Sequence, residues 1–418
     1  MTNRSDSQGW ILSAFVGLGG LDALHPESRG LDIELGYDLG DLELLEDRVK
    51  AGSQLSKGWV EVAAQVQARA AFYERSGFDT TAASLYTRAA LMWAKASYTF
   101  FSTDRRKVAY RQFADECTDR IGALGAAIVE RVEIPFESKT LYAILHLPRT
   151  ASTPLPAAIL VPGIDMVKEA YTSPAHRRFL TAGMAAIAIE GPGQGATRLH
   201  GLTVDLTNYE RAISAVIDFL EARPDIDAGR IGVYGMSMGS YWGLRAAAHD
   251  RRLRAVATAL GCYGDMEIIF NRAHPNFKRN YMYMSGYTDE AAFDRELGSR
   301  MNVWDLADRI DCPIFMGFGE FDELTPIEDT LRFYELLRSP KELCVFEQEF
   351  HPIGGVAAEL MQFSANWLSR AFQGAFDGGR DERRYMRRWG AVQVGDATPP
   401  WWSGAAPVGV PARPRRES

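Results

Sequence analysis

Ser237 lies in the run Gly235-Met-Ser237-Met-Gly239, and a serine flanked by glycines at this spacing suits a nucleophile held on a sharp strand-to-helix turn. Its surroundings fit such a turn, because the run 231–234 (Ile-Gly-Val-Tyr) precedes it and an Ala-rich helical stretch begins at Met238. The turn is so tight that only small residues fit two positions either side of the serine. The helix N-terminus that follows points its amides at negative charge developing beside the serine. A serine hydroxyl is a poor nucleophile until a base takes its proton. Three of the seven histidines follow Ser237, namely His249, His274 and His351. His249 falls at the end of the helix after the turn and His274 precedes every plausible acid. His351, in Glu349-Phe-His-Pro-Ile-Gly-Gly, follows the last strand, where a loop should return to the serine. The acid belongs just beyond the preceding strand, in Gly319-Glu320-Phe-Asp322-Glu323-Leu-Thr-Pro326. Asp322 is favoured as a short carboxylate placed before a Pro-started helix, with Glu320 and Glu323 read as solvated loop charges. Two backbone amides are needed to hold an oxyanion. Met238 supplies one, and the loop Pro162-Gly163-Ile164-Asp165 the other, with Ile164 favoured over Gly163 or Asp165.

Positioning these residues takes a sheet. Short apolar runs at 157–161, 185–189, 231–234, 255–260, 314–318 and 342–346 alternate with helical stretches near 168–182, 205–222, 238–249, 326–338 and 355–371. Such alternation predicts an α/β architecture, a mostly parallel sheet with helices on both faces. An antiparallel strand pair precedes it around the turn Glu137-Ser-Lys. Residues 1–127 read as an all-helical domain, with apolar positions at helical spacing in 80–101 (Leu85, Ala89, Met92, Ala96, Phe100) and 104–124 (Val108, Phe113, Cys117, Ile121, Leu124). A third helix is expected at 58–75, and Asp79 or Thr80 is a candidate N-cap. Residues 128–373 form the expected catalytic domain, with 263–302 as a helical insertion near the site. From 374 to 418 the chain is polar and then rich in Pro, Gly and Ala, the composition of a loosely ordered tail onto which Trp401 and Trp402 could fold back.

The 418 residues carry a net charge of −8 with 46% hydrophobic and 24% charged residues, enough apolar material for a large core. No basic tract could track a phosphate backbone, so nucleic acid is not an expected partner. No apolar window has the length needed to span a bilayer, so no membrane partner is expected either. Four cysteines without a Cys-x-x-Cys spacing read as free thiols in a reducing, cytoplasmic setting, with no metal site. The segment Glu190-Gly-Pro-Gly-Gln-Gly195 superficially suggests a dinucleotide loop. Its third glycine falls one residue early and Pro192 interrupts the turn, so it reads as a structural turn, and no cofactor is expected.

The serine turn, the order Ser, acid, His and the alternating elements together read as the α/β-hydrolase fold. A narrower resemblance rests on the helical N-terminal domain, Pro-Gly-Ile at 162–164, Glu-Gly-Pro-Gly-Gln-Gly at 190–195, Gly-Met-Ser-Met-Gly at 235–239 and Leu-Gly-Cys-Tyr-Gly-Asp at 260–265. With these the chain resembles the 2,6-dihydroxypseudooxynicotine hydrolases and the fungal yellowish-green pigment hydrolases that shorten polyketides, and more distantly the fermentation-respiration switch proteins. The resemblance implies a helical cap over the site, a homodimer, and cleavage of a carbon–carbon bond beside a ketone in a small β-diketone or acylphenol. It carries the triad over to Ser237, Asp322 and His351. The loop Phe350-His351-Pro352 departs from the Gly-Asp-His typical of such loops. Tyr263, Phe270, Tyr281, Tyr283, Trp93, Tyr98 and Phe101 could line an apolar substrate cavity, and Asp265 or Glu267 could assist from the insertion. Ester, lactone or thioester cleavage by the same triad, and a non-catalytic regulatory protein on the same fold, are the alternatives.

Overall fold

The computed structural model describes residues 10–150, 154–388 and 392–394. Ten strands form one sheet: β1 (Ala127–Phe136), β2 (Lys139–Pro148), β3 (Leu155–Val161), β4 (Ala185–Glu190), β5 (Ile226–Met236), β6 (Leu253–Ala259), β7 (Ile314–Gly319), β8 (Lys341–Phe346), β9 (Asp381–Met386) and β10 (Val392–Val394). Their spatial order is β1-β2-β4-β3-β5-β6-β7-β8-β9-β10. From β4 to β9 all neighbours are parallel, while β1 and β2 at one edge and β10 at the other add antiparallel pairings. The predicted α/β sheet is therefore present, and each apolar run read from the sequence is one of its strands.

The near-continuous hydrophobicity of the central strands follows from burial on both faces. In β3, Ala157, Ile159 and Val161 enter one core together with the helices Asn208–Glu221 and Met238–His249. Ala158 and Leu160, pointing the other way with the period of two that a strand imposes, enter a second core shared with the helix Ala357–Phe372 and with the N-terminal helices. That second core joins the cap to the sheet. The helix Asp79–Tyr98 lies between Leu55–Arg75 and Arg105–Leu124 and buries Ala89, Ala90, Met92, Trp93 and Ala96. Three further helices, Ile11–Gly19, Ser28–Leu35 and Leu39–Lys50, precede these.

Two expectations are corrected. Asp79 sits in the first turn of its helix, and the N-cap position is taken by Phe78 without a side-chain bond. Residues 381–386, expected in a loosely ordered tail, form strand β9. Their charge misled, because only Tyr385 of this strand, which lies one place in from the sheet's edge, turns inward. Arg380 and Arg384 instead neutralise the buried Glu342 of β8. Trp401 and Trp402 lie outside the described residues. Among the described residues no helix is long and apolar enough to cross a membrane.

Candidate active site

Strand β5 ends at Met236 and a helix begins at Met238, so the whole reversal falls on Ser237, whose φ is +54° and ψ −124°. A non-glycine residue held at such angles costs on the order of 1–3 kcal/mol, a strain that surrounding structure must sustain. The flanking glycines explain how it is sustained. A Cβ at Gly239 would lie 2.1 Å from the carbonyl oxygen of Val161, and one at Gly235 would lie 2.4 Å from that of Gly239. The Ser237 amide donates to the Ala259 carbonyl at 2.9 Å, pinning the turn to β6.

Ser237 Oγ lies 2.8 Å from His351 Nε2, and His351 Nδ1 lies 2.8 Å from Asp322 Oδ2. Asp322 stands beyond β7, and its other oxygen accepts from the amides of Leu324 and Thr325, both at 2.9 Å. Four fixed bonds thus leave neither ring nor carboxylate free to turn. Burial alone would favour neutral His351, yet the neighbouring Asp322 charge and hydrogen bond outweigh it and raise its pKa above the usual imidazole value. Cys262 lies 4.0 Å from Ser237 Oγ, but burial pushes its thiol up to about 12, which leaves the protonated, unreactive form.

Glu320 is not the solvated charge expected, and Glu323, though exposed, is bonded on both sides. Glu320 is buried, accepting from the Gln348 amide and the Tyr385 hydroxyl. Glu323 accepts the backbone amide of His351 at 2.9 Å and pairs with His25 of the cap at 3.2 Å. Burial would raise the Glu323 pKa, but His25 and His351 hold it down to about 2. These bonds fix the loop after β8, where Gln348 and Ile353 both take positive φ. The cap meets that loop backbone to backbone: a Cβ at Gly30 would lie 1.8 Å from the Gly354 carbonyl oxygen, and one at Gly354 would lie 1.6 Å from that of Glu27.

The loop that carries Ile164 runs close to the serine, and Met238 follows the serine directly in the chain. A Cβ on Gly163 would come within 3.2 Å of the Ser237 Cβ, so the loop after β3 passes directly beside the hydroxyl. Among the described residues neither the Met238 nor the Ile164 amide has a hydrogen-bond partner. The loop is braced from behind. Gln194 Nε2 donates to the Gly163 carbonyl at 3.0 Å, Asn280 Nδ2 to that of Ile164 at 2.5 Å, and Gln194 in turn accepts from the Tyr209 hydroxyl. The Gly-rich turn at 190–195 thus has a use that its pattern did not disclose.

A cavity of about 130 Å³ opens from Ser237 and His351 toward the cap. Its walls are mostly apolar, with Leu24, Leu35, Trp59 and Phe277 among them, and it carries a polar patch of His25, Asp32, Lys95 and Asp165. Tyr98 lines it as expected, and Phe101 lines an adjoining space that shares several of its walls. The four residues singled out for substrate contact lie elsewhere. Tyr263 is fully buried, stacked on Phe333 and bonded to Thr258. Phe270 packs on Tyr281 and Phe293 in the core of the insertion. Asp265 and Glu267 are exposed, Asp265 bonding the Glu267 amide and Glu267 bonding Asn271. Trp93 packs inside the cap on Tyr110 and Phe113. Tyr283 lies against Lys107 and Arg198.

Comparison with known proteins finds relatives named as hydrolases. The hydrolyase poxO of Penicillium oxalicum is 28% identical over 254 residues, which is 56% of this chain and 60% of that protein. The 2,6-dihydropseudooxynicotine hydrolase of Paenarthrobacter nicotinovorans is 27% identical over 270 residues, 64% of this chain and 70% of that one. The 20-hydroxy-prefusarin hydrolase FUS2 of Gibberella moniliformis is 28% identical over 271 residues, 62% of this chain and 64% of that one. The match thus spans less than two thirds of the length of the two fungal proteins. A crystal structure of the 2,6-dihydroxy-pseudo-oxynicotine hydrolase superposes with a TM-score of 0.75 at 24% identity, covering 87% of this chain and 100% of that one. Together with a match of residues 49–369 to the profile described as Esterase FrsA-like, these likenesses identify the chain as a member of the FrsA-like esterase family on the α/β-hydrolase fold.

Proposed function

We propose that the chain is a serine hydrolase that cleaves a carbon–carbon bond beside a ketone, in a β-diketone or acylphenol, through an acyl-enzyme. The observation that carries it is the unbroken relay of two 2.8 Å contacts, Ser237 to His351 to Asp322, facing a mostly apolar cavity. Ser237 Oγ adds to the carbonyl while His351 takes its proton, and the amides of Met238 and Ile164 hold the oxyanion. Collapse expels the leaving carbon as a resonance-delocalised anion, which His351 reprotonates. Water then hydrolyses the acyl-enzyme with His351 as base. The preference for a ketone draws support from the relatives named for 2,6-dihydropseudooxynicotine and 20-hydroxy-prefusarin. Ester cleavage by the same residues is the second reading, favoured by the family's description as esterases. A cytoplasmic site is part of the proposal, supported by four cysteines that are all free, and so is a homodimer, supported by exposed Trp10, Phe15 and Leu18 near the N-terminus.

The test compares kcat/KM for acetylacetone and benzoylacetone with that for p-nitrophenyl acetate, alongside labelling by a fluorophosphonate. Diketone turnover is expected, together with labelling that disappears in Ser237→Ala as activity falls by about a millionfold. Esters reacting while neither diketone does would leave the second reading. Absence of labelling would remove the serine mechanism altogether.

A further inference from the structure

We propose that Lys95 and Asp32, both from the cap, form a donor pair that binds the oxygen anion of the substrate's leaving half. This deepens the C–C reading above and names where the second negative charge of the reaction is held.

Apart from Ser237 and His351, the main charged or titratable groups on the cavity wall are His25, Asp32, Lys95 and Asp165. Lys95 projects from the helix Asp79–Tyr98 and Asp32 from the helix Ser28–Leu35. An ammonium has three N–H donors. Lys95 Nζ commits one to Asp165 Oδ2 at 3.2 Å and has no other hydrogen-bond acceptor among the described residues. The Asp32 carboxyl has no hydrogen-bond partner among them either. Burial pushes Asp32 up to about 7, with the charges of Asp165 and Asp22 adding to the rise and those of Lys95 and His25 opposing it. Near pH 7 roughly half of it is therefore the carboxylic acid, able to donate. Asp165 neutralises Lys95, so the patch carries little net charge until a substrate brings or develops some. Lys95 and Asp165 keep 31% and 30% side-chain exposure, so the unused donors of Lys95 are open to a molecule entering this mostly apolar cavity, where a hydrogen bond to charge gains more than it would in bulk water.

The placement matches the chemistry. Asp165 directly follows Ile164, the residue proposed above to supply an oxyanion amide, so the Lys95–Asp165 pair ties Lys95 to the same loop. In the first step the Ser237 Oγ–carbon bond forms, its proton passes to His351, and charge gathers on the carbonyl oxygen at Met238 and Ile164. In the second the carbon–carbon bond breaks and its electron pair shifts into the neighbouring carbonyl, giving an enolate whose oxygen lies at Lys95 and Asp32. The proton on His351 then moves to the leaving carbon, which departs as a ketone, and water releases the acyl group as a carboxylic acid. Two oxyanions arise in turn, and two sets of donors stand ready for them.

The experiment uses the full chain and two substrates that give the same acetyl-enzyme, acetylacetone and p-nitrophenyl acetate. Only the leaving group differs, and kcat/KM reports its departure. Lys95→Met is expected to lower the acetylacetone value by about a hundredfold, the usual effect of one lost oxyanion donor, and to lower the diketone-to-ester ratio by at least about tenfold. Lys95→Arg should retain more of that ratio than Lys95→Met. Asp32→Asn, which keeps an N–H donor, should retain more than Asp32→Leu. A parallel fall for both substrates would overturn the proposal, because a lysine that merely braces the 162–165 loop would weaken both alike. No fall at all would overturn it too. An independent readout comes from phenyl acetate against p-nitrophenyl acetate, where loss of the pair should penalise the poorer phenolate more. If the wild-type chain cleaves no diketone but Lys95→Met still steepens this ester dependence, the C–C reading fails and the donor pair stands. If the wild type cleaves diketones and the ratios do not move, the reverse holds.

Discussion

Replacing Arg111 by Met tests how the cap is held to the sheet. Arg111, on the helix Arg105–Leu124, is 3% exposed and forms a fork onto Glu169 with contacts of 2.9 and 2.7 Å. One of its nitrogens also lies 2.8 Å from Glu190, at the end of β4. Lys168 completes the cluster, 2.7 Å from Glu169 and 3.5 Å from Glu190. Two cations thus face two fully buried carboxylates, with Asp115 at the margin 3.3 Å from Lys168. Methionine would fill much of the arginine's volume but leave Lys168 to serve both carboxylates. Stranding a buried charge in this way costs about 3–5 kcal/mol, against a total stability of roughly 5–15 kcal/mol for ordinary proteins. The loss would be read from the urea midpoint monitored by tryptophan fluorescence, and Arg111→Met/Glu169→Leu, which restores the charge balance, should recover at least half of it. The dependence on pH has a defined sign. Burial would raise the Glu169 pKa, but Arg111 and Lys168 hold it down to about 2 from the ordinary 4.5. Its contribution is therefore complete above pH 4.5 and lost as pH falls toward 2, and Arg111→Met should blunt that loss. A cost below about 1 kcal/mol, the worth of an exposed pair, with no recovery in the double variant, would refute the reasoning.

Because Asp322 raises the His351 pKa, the acid limb of kcat/KM should have its midpoint above the unperturbed value of about 6.5, rising with pH as the base becomes neutral. In Asp322→Asn that midpoint should move to lower pH and the rate fall by about ten-thousandfold, as the equivalent change does in a protease triad; an unmoved midpoint in a pH series would count against the assignment. Gly239→Ala drives a Cβ into the Val161 backbone, which cannot step aside as a side-chain tip would. It should cost about 1–3 kcal/mol and slow fluorophosphonate labelling by roughly a hundredfold, the effect of an ångström's displacement; labelling at the wild-type rate would show that the turn has slack.

The strands were legible because parallel strands buried on both faces are short, continuous apolar runs, and the six read between 157 and 346 are all present. Ser237 was legible because its geometry demands glycine on both sides, a demand written locally. His351 and Asp322 could be read from chain order. The substrate wall could not. Its polar patch comes from His25, Asp32, Lys95 and Asp165, four residues on separate segments whose meeting is decided by how the cap settles on the sheet. Tyr263 and Phe270 misled because aromatic residues close in sequence to a site pack into core as readily as into a cavity. Asp32 carried no sign in the sequence, lying among ordinary helix charges. The one available clue to Lys95 was its position within a stretch otherwise rich in alanine and aromatic residues.

The contact between Gly30 and Gly354 leaves no room for a side chain on either partner. Helices over an active site are commonly imagined as interchangeable attachments, swapped between relatives to alter specificity. Here the attachment touches the strip of chain that carries the imidazole, main chain against main chain, and Glu323 ties His25 to the same strip. A chimera that grafts a foreign cap onto this body would have to import its own tiny-residue seam, or else displace the base it was meant to shelter. Changes in the two segments should therefore be inherited together, and the unit that laboratory recombination can safely exchange is the cap plus the histidine loop, not the cap alone.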